Sequence, residues 1–292
     1  LYILHIWESP LQRQFLFNEK NWEVFDMVLS SKDNIINSKH RVLRYFADTY
    51  HNSKSNLDFE DRKFAIAVCS NRYSGFLASR NGSGIGSLPF MQEMDFNWKN
   101  NIKDVFLGGL NEMYSFRRKM LLKKYDLFDL YGRFWKSKEY QSWISKFHYF
   151  LPENFNSKGE LRGDKRNHMS GYKYAMTFEN YENDSGYISE KVIECLQSRC
   201  VPLYAGCKNI SEYIPKECYI FVKSETSPQE LKFKLDSITK AEWSNYISSG
   251  QNFLESMSFK SFFSPEAFAN TLMKHVLESI VKCTIINSDH GE

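Results

Sequence analysis

YAMTFENYENDSGYISEKVIECLQSRCVPLYAG, residues 174–206, is the stretch from which the fold of this chain can be read. It opens on a strand, YAMTFEN (Tyr174–Asn180), that runs into a polar loop. YISEKVIECLQS (Tyr187–Ser198) follows, with Ile188, Val192, Ile193 and Leu196 on one helical face, an apolar stripe that needs a sheet to cover it. VPLYAG (Val201–Gly206) is a second strand. Strand, helix and strand in such a short span make a βαβ crossover, which joins parallel strands and is right-handed in nearly all known cases.

Toward the C-terminus the pattern comes round again. CYIFVKS (Cys218–Ser224) reads as a strand, and the next helix has Ser227 as N-cap, Pro228 in its first position and Glu230 closing a capping box. A last helix starts at Ser264–Pro265 and carries Phe268, Leu272, His275, Val276 and Leu277; its end, 276–292, is expected to pack back on the first domain. Toward the N-terminus, KFAIAVCS (Lys63–Ser70) is a buried strand and Met113–Tyr125 a basic helix. FDLYG (Phe128–Gly132) is a strand closed by glycine, and KSKEYQSWISKF (Lys136–Phe147) an amphipathic helix. Residues 72–110 have no period and read as an insertion; their GSGIG (Gly82–Gly86) opens no helix, so it is a loop rather than a dinucleotide site. HNSKSNLDFEDR (His51–Arg62) is a linker rich in turn formers and charge, which divides the chain into domains at 1–56 and 57–275. In the first domain, LYILHIW (Leu1–Trp7) reads as a strand covered on both faces and FDMVL (Phe25–Leu29) as another; so apolar an opening implies further strands upstream.

Composition narrows the class. The 292 residues suit about two domains. With 38 Lys and Arg against 35 Asp and Glu, the net charge of +3 is too small for a nucleic-acid coat protein, though a local anion site is compatible with it. No apolar run approaches the roughly 20 residues of a membrane-spanning helix. The six cysteines form no CxxC pair and no zinc spacing, which favours a reducing, cytoplasmic setting. No Asp-x-Asp pair follows a strand, so a divalent-metal diphosphate site has no evident ligands and no metal or other cofactor is expected.

The chemistry is expected where ligands bind open α/β sheets, beyond the carboxyl ends of the strands and at helix N-termini. The loop Phe178–Gly186 and the helix start at Tyr187 occupy that position, and Lys191 adds a full charge to the helix dipole. Glu190 and Lys191 as plain solvated helix residues are the competing reading. Arg117 and Arg118 lie on the basic helix, where one could point at a diphosphate while the rest of the stripe is solvated. Glu8 ends the strand LYILHIW before Ser9–Pro10, which leaves its carboxylate at the sheet's carboxyl edge beside Ile6 and Trp7, a setting that suits a general base. On these residues alone, an N-cap or surface acid is the simpler reading of Glu8.

Taken together, the segment Asp164–Val222 resembles the signature region of α1,3/4-fucosyltransferases, glycosyltransferase family 10, through FEN (Phe178–Asn180), GYISEK (Gly186–Lys191) and PLYAG (Pro202–Gly206). The similarity extends to WESP (Trp7–Pro10), MYSFRR (Met113–Arg118), DLYGRFW (Asp129–Trp135) and the tail from Phe253. The resemblance implies a GT-B fold, two Rossmann-like domains facing a central cleft, with the N-terminal one incomplete in this chain. It further implies inverting transfer of L-fucose from GDP-fucose to a GlcNAc or glucose hydroxyl of an oligosaccharide or glycoconjugate acceptor, of Lewis type, in α1,3 or α1,4 linkage. Glu8 matches the family's catalytic base. Arg117 and Lys191 match its diphosphate-binding cations, with Arg118 one register away from Arg117. Tyr187 matches a hydroxyl donor, Glu190 a carboxylate that meets donor sugar hydroxyls, and Asn180 a donor-pocket residue, with Glu179 a weaker candidate. Ala205 replaces the family's usual Trp. The C-terminal cysteine pairs of animal Golgi members are missing, which implies a bacterial-type cytoplasmic enzyme, with peripheral contact to the inner membrane left open. Rival readings are a transferase of another nucleotide sugar and a silent glycan- or nucleotide-binding relative; nucleic acid is not an expected partner.

Overall fold

The computed structural model describes residues 1–7, 14–33, 35–47, 57–71, 113–133, 135, 155–182 and 185–289. Glu8, the insertion at 72–110, the 136–147 helix and the first part of the linker lie outside the described residues.

Two parallel sheets organise the chain. In the first, β1 (Ile3–Ile6), β2 (Met27–Ser30) and β3 (His40–Val42) lie in chain order. In the second, β4 (Lys63–Val68), β5 (Asp129–Tyr131), β6 (Tyr172–Met176), β7 (Val201–Tyr204) and β8 (Ile220–Phe221) take the order β5-β4-β6-β7-β8. The βαβ unit read from the sequence is β6, α3 and β7, with α3 spanning Glu190–Gln197. The other helices are α1 (Tyr114–Met120), α2 (Lys165–Met169), α4 (Pro228–Asp236), α5 (Lys240–Glu255), α6 (Met257–Phe263) and α7 (Pro265–Asp289).

The strands of the second sheet are apolar on both sides because both faces are covered. Along β4, Ala65 and Ala67 enter one core with Leu130, Tyr174 and Leu203, while Ile66 joins Ala175, Cys195 and Cys200 in another. The capping box before α4 forms as its residues require: Glu230 N–H donates to Ser227 Oγ, and the Ser227 N–H to the Glu230 carboxylate at 2.7 Å.

Three expectations change in the structure. First, β1 is the edge of the three described strands of its sheet, with Tyr2 74% exposed, so it is not covered on both faces. Second, the C-terminal part of the expected linker is docked on the second domain: Arg62 is buried, donates to the carbonyls of Leu57, Tyr172 and Arg199, and lies over the Trp243 ring. Third, α3 starts at Glu190 rather than Tyr187, for a reason that belongs to the site. The long α7 lays Phe268, Leu272 and Val276 against Met27, Leu29 and Leu43 of the first sheet, so the chain returns to where it began.

Candidate functional site

In the second sheet the chain goes from β4 to β5 on one side, then crosses back to β6 on the other. Where strand order reverses, the loops leaving adjacent strands part in opposite directions and open a crevice at their carboxyl ends. Cys69 leaves β4 at this point, and Phe178, Glu179 and Asn180 follow β6.

α1 enters the crevice from above. Phe116 stacks on Phe178 with ring centroids 5.1 Å apart, and the Met113 N–H donates to the Asn180 carbonyl at 3.1 Å. That packing turns Arg117 inward: it is 6% exposed, and its Nη2 donates to the Phe178 carbonyl at 2.6 Å and to Asn180 Oδ1 at 2.9 Å. Arg118, the other candidate, is half-buried and donates to Ser115 Oγ at 3.0 Å. Among the described residues Arg117 has no carboxylate partner. A buried cation without a counter-charge is costly, and two neutral acceptors do not neutralise it. Among the described residues only Nη2 is engaged, so Nε and Nη1 can donate to a ligand.

Beside it lies a second charge system with the opposite logic. Glu179 is fully buried and accepts from the Ser189 N–H at 2.8 Å, the Ser189 hydroxyl at 2.7 Å and Lys191 Nζ at 2.8 Å. Ser189 is the N-cap of α3, so a carboxylate ten residues upstream satisfies the helix entry. This capture keeps Tyr187 and Ile188 out of the helix and accounts for its late start. Lys191, which the sequence offered as a cation for an external anion, is therefore already paired inside the protein, with its side chain 25% exposed. Gly206 allows the arrangement: its φ is +154°, and a Cβ there would sit 2.7 Å from Glu179 Cγ. Ala205 is buried, and its carbonyl accepts the Glu179 N–H.

Glu190 opens α3. Burial alone would raise its carboxyl, but Lys191, Lys165 and its own backbone N–H bring it below the ordinary value, so it is an anion at neutral pH. Tyr187 is 3% exposed and its ring meets Tyr45 of the first domain edge-on at 5.9 Å. Tyr45 in turn contacts Trp7 at 4.7 Å, so an aromatic chain joins the end of β1 to the loop before α3. Glu8 is the residue after Trp7, and its own placement lies outside the described residues. Cys69 lies near Arg117 and Lys191; burial pushes its thiol up more than these cations pull it down, so it behaves as a neutral, apolar floor.

The structure thus brings Arg117 against Asn180 and Lys191 against Glu179, with Cys69 near both cations, and leaves Glu190 beside Lys191 at the start of α3. Glu179, the weaker candidate in the sequence, is the buried partner of Lys191 and Ser189. The available signal was its position, an acid directly after a buried strand and before a loop that must return to a helix. Among the described residues no group of three or more His, Cys, Asp or Glu side chains could hold a metal ion, and no helix is long and apolar enough to cross a membrane.

Residues 120–249 match the family model described as glycosyltransferase family 10 (fucosyltransferase), C-terminal part. An α-(1,4)-fucosyltransferase of Arabidopsis thaliana is 36% identical over 63 residues, 22% of this chain and 16% of the relative. The GDP-fucose protein O-fucosyltransferase 3 of Xenopus laevis is 27% identical over 121 residues, 41% of this chain and 23% of the relative. The chain therefore matches less than a quarter of the length of either curated relative. A solved sucrose-phosphate synthase from Thermosynechococcus elongatus superposes with a TM-score of 0.53 at 13% identity, covering 96% of this chain and 65% of its own, which bears on the fold alone. The architecture is GT-B, with two Rossmann-like α/β domains.

Proposed function

We propose, from the match of residues 120–249 to the glycosyltransferase family 10 (fucosyltransferase) model, that this protein transfers L-fucose from GDP-fucose to a sugar hydroxyl with inversion. The observation that carries the reading is Arg117, a buried guanidinium with no acid beside it among the described residues. Such a group is stable when an anion arrives to neutralise it, and the diphosphate of a nucleotide sugar is that anion.

In this reading the β-phosphate accepts from Nε and Nη1 of Arg117. As the bond from fucose to phosphate breaks, negative charge grows on the leaving GDP, and a pre-placed cation stabilises it more in the transition state than in the ground state. Lys191 contributes less than Arg117, because it must first turn from Glu179. Two positive side chains and the amino end of α3 supply the charge, so the reaction needs no divalent metal. Glu190, an anion at the rim, accepts hydrogen bonds from donor hydroxyls, and Asn180 holds Arg117 in place. Tyr187 adds a hydroxyl donor for the diphosphate, its ring held edge-on against Tyr45. Glu8 takes the proton of the acceptor hydroxyl, as a single inverting displacement requires. Its neighbour Trp7 is tied through Tyr45 to Tyr187, which supports a position for the end of β1 across the gap from the donor. The acceptor is a GlcNAc- or glucose-containing glycan in α1,3 or α1,4 linkage, and the setting is cytoplasmic.

The test is an acceptor screen. With GDP-fucose and lactose, LacNAc or a type-1 chain, one acceptor gains a single deoxyhexose by mass spectrometry with stoichiometric GDP release, in buffer containing chelator. Hydrolysis of GDP-fucose without glycosidic product, or transfer from UDP-sugars instead, would overturn the proposal.

A further inference from the structure

The crevice has a second wall that comes from the other domain. Past the carboxyl ends of β2 and β3 stand Asp33 and Arg44, and neither belongs to the diphosphate site described above. Arg44 Nη2 donates to Asp33 Oδ1 at 2.6 Å and to the Tyr213 hydroxyl at 2.9 Å, and its guanidinium lies 4.2 Å from the centre of the Tyr213 ring. The Tyr213 hydroxyl donates to Asp33 Oδ2 at 2.6 Å, and Asn209 Nδ2 reaches the same oxygen at 3.3 Å. Tyr213 and Asn209 belong to the second domain, so this network crosses between the two.

What the network grips is the loop that leads into α3. The Asp33 N–H donates to the Ser185 carbonyl at 3.0 Å, the Gly186 N–H to Asn209 Oδ1 at 3.1 Å, and Arg44 Nη1 approaches the Gly186 carbonyl at 3.4 Å. Gly186 has φ +79°, and a Cβ on it would lie 2.5 Å from Asp33 Oδ2 and from the Ser31 carbonyl, so the turn is pressed against the first domain with no room for a side chain. The next residues are Tyr187, Ile188 and Ser189, and then Glu190 and Lys191.

We propose that Asp33 and Arg44 are positioning residues for the nucleotide-sugar donor. From the first domain they hold the Ser185–Gly186 turn, and through it the start of α3, in the shape that receives the diphosphate. Donor affinity then depends on the domain that does not itself carry the donor cations. A ligand that binds only the assembled loop is weakened by the population in which the clamp is open. The inference rests on the donor reading given above and adds residues to it.

The experiment compares the full chain with Asp33→Ala, Tyr213→Phe and the double variant, by calorimetric titration with GDP and by donor saturation kinetics. Each single change is expected to weaken GDP binding and raise the donor KM by about tenfold, the scale of one lost charge-assisted hydrogen bond, with kcat changed less than about threefold. The double variant is expected to be no worse than the poorer single one, because both changes open the same clamp. Tyr213→Phe removes only one hydroxyl from a half-exposed side chain, so it keeps the test sound if Asp33→Ala fails to fold. Folded variants with a lower thermal midpoint and unchanged GDP affinity would make the network merely structural and overturn the inference. If the wild type itself binds no GDP, the donor reading fails separately. Amide exchange then judges the clamp: faster exchange at 185–189 in Tyr213→Phe supports it, and unchanged exchange there refutes it.

Discussion

Removing the Lys191 charge leaves the Glu179 carboxylate in an interior it cannot leave, and the cost can be worked from the geometry. Breaking a fully buried pair by deleting one partner costs about 3–5 kcal/mol, because the survivor is stranded. Here Lys191 is a quarter exposed, and Glu179 keeps the N–H and hydroxyl of Ser189. Lys191→Ala should therefore lower the unfolding free energy by roughly 2–3 kcal/mol, at or just below the bottom of that range. Glu179→Gln keeps the shape and one acceptor, and frees Lys191 to turn to water; it should cost about 1–2 kcal/mol. In the double variant no charge is stranded. It should be no less stable than Lys191→Ala alone, with a coupling free energy of about 2 kcal/mol. Urea unfolding at neutral pH, with m-values compared across the four proteins, measures the cycle. Additive single effects, or a Lys191→Ala cost below about 0.5 kcal/mol, would refute the claim that the two charges form one buried unit.

Three further outcomes are expected. Gly206→Ala places a Cβ 2.7 Å from Glu179 Cγ at a φ of +154°; it should cost about 2–3 kcal/mol in thermal or urea unfolding, and an unchanged midpoint would remove Gly206 from the support of Glu179. His40 sits at a pKa of about 4, held down chiefly by burial and then by Arg41, while the unfolded chain protonates near 6.5. Its folded pKa is lowered, so the unfolded state binds the extra proton: stability is full above pH 6.5 and falls by about 3 kcal/mol by pH 4, a loss that His40→Gln should abolish. Glu8→Gln should lower kcat by about 10²–10⁴-fold with GDP affinity unchanged, and near-normal transfer would remove Glu8 as the base.

Much of the fold was legible because local periodicity and tertiary burial agree here. Val192, Ile193 and Leu196 are buried along α3 as expected, Ile188 is buried just ahead of it, and the Ser227–Glu230 capping box closes as written. What could not be read are the features set by contacts distant in sequence. The late start of α3 depends on Glu179 capturing the Ser189 N–H. The burial of Arg117 against Phe178 and Asn180 goes with Phe116 stacking on Phe178, 62 positions away and invisible to any helical wheel. Asp33 and Arg44 carry no motif at all; only the meeting of two sheets brings them to Gly186. The exposed β1 likewise follows from sheet order, since an apolar strand reads the same at an edge as at a centre.

The most direct test of the central claim is titration of GDP into the full chain in the presence of chelator, with Arg117→Lys as the comparison. Lysine keeps the charge and loses the fork that can hold Phe178, Asn180 and a phosphate together. The account predicts saturable one-to-one binding by the wild type without metal, and an affinity lower by tenfold or more in Arg117→Lys, about 1.4 kcal/mol or greater. Equal affinity in the two proteins, or binding that appears only when a divalent metal is added, would contradict it.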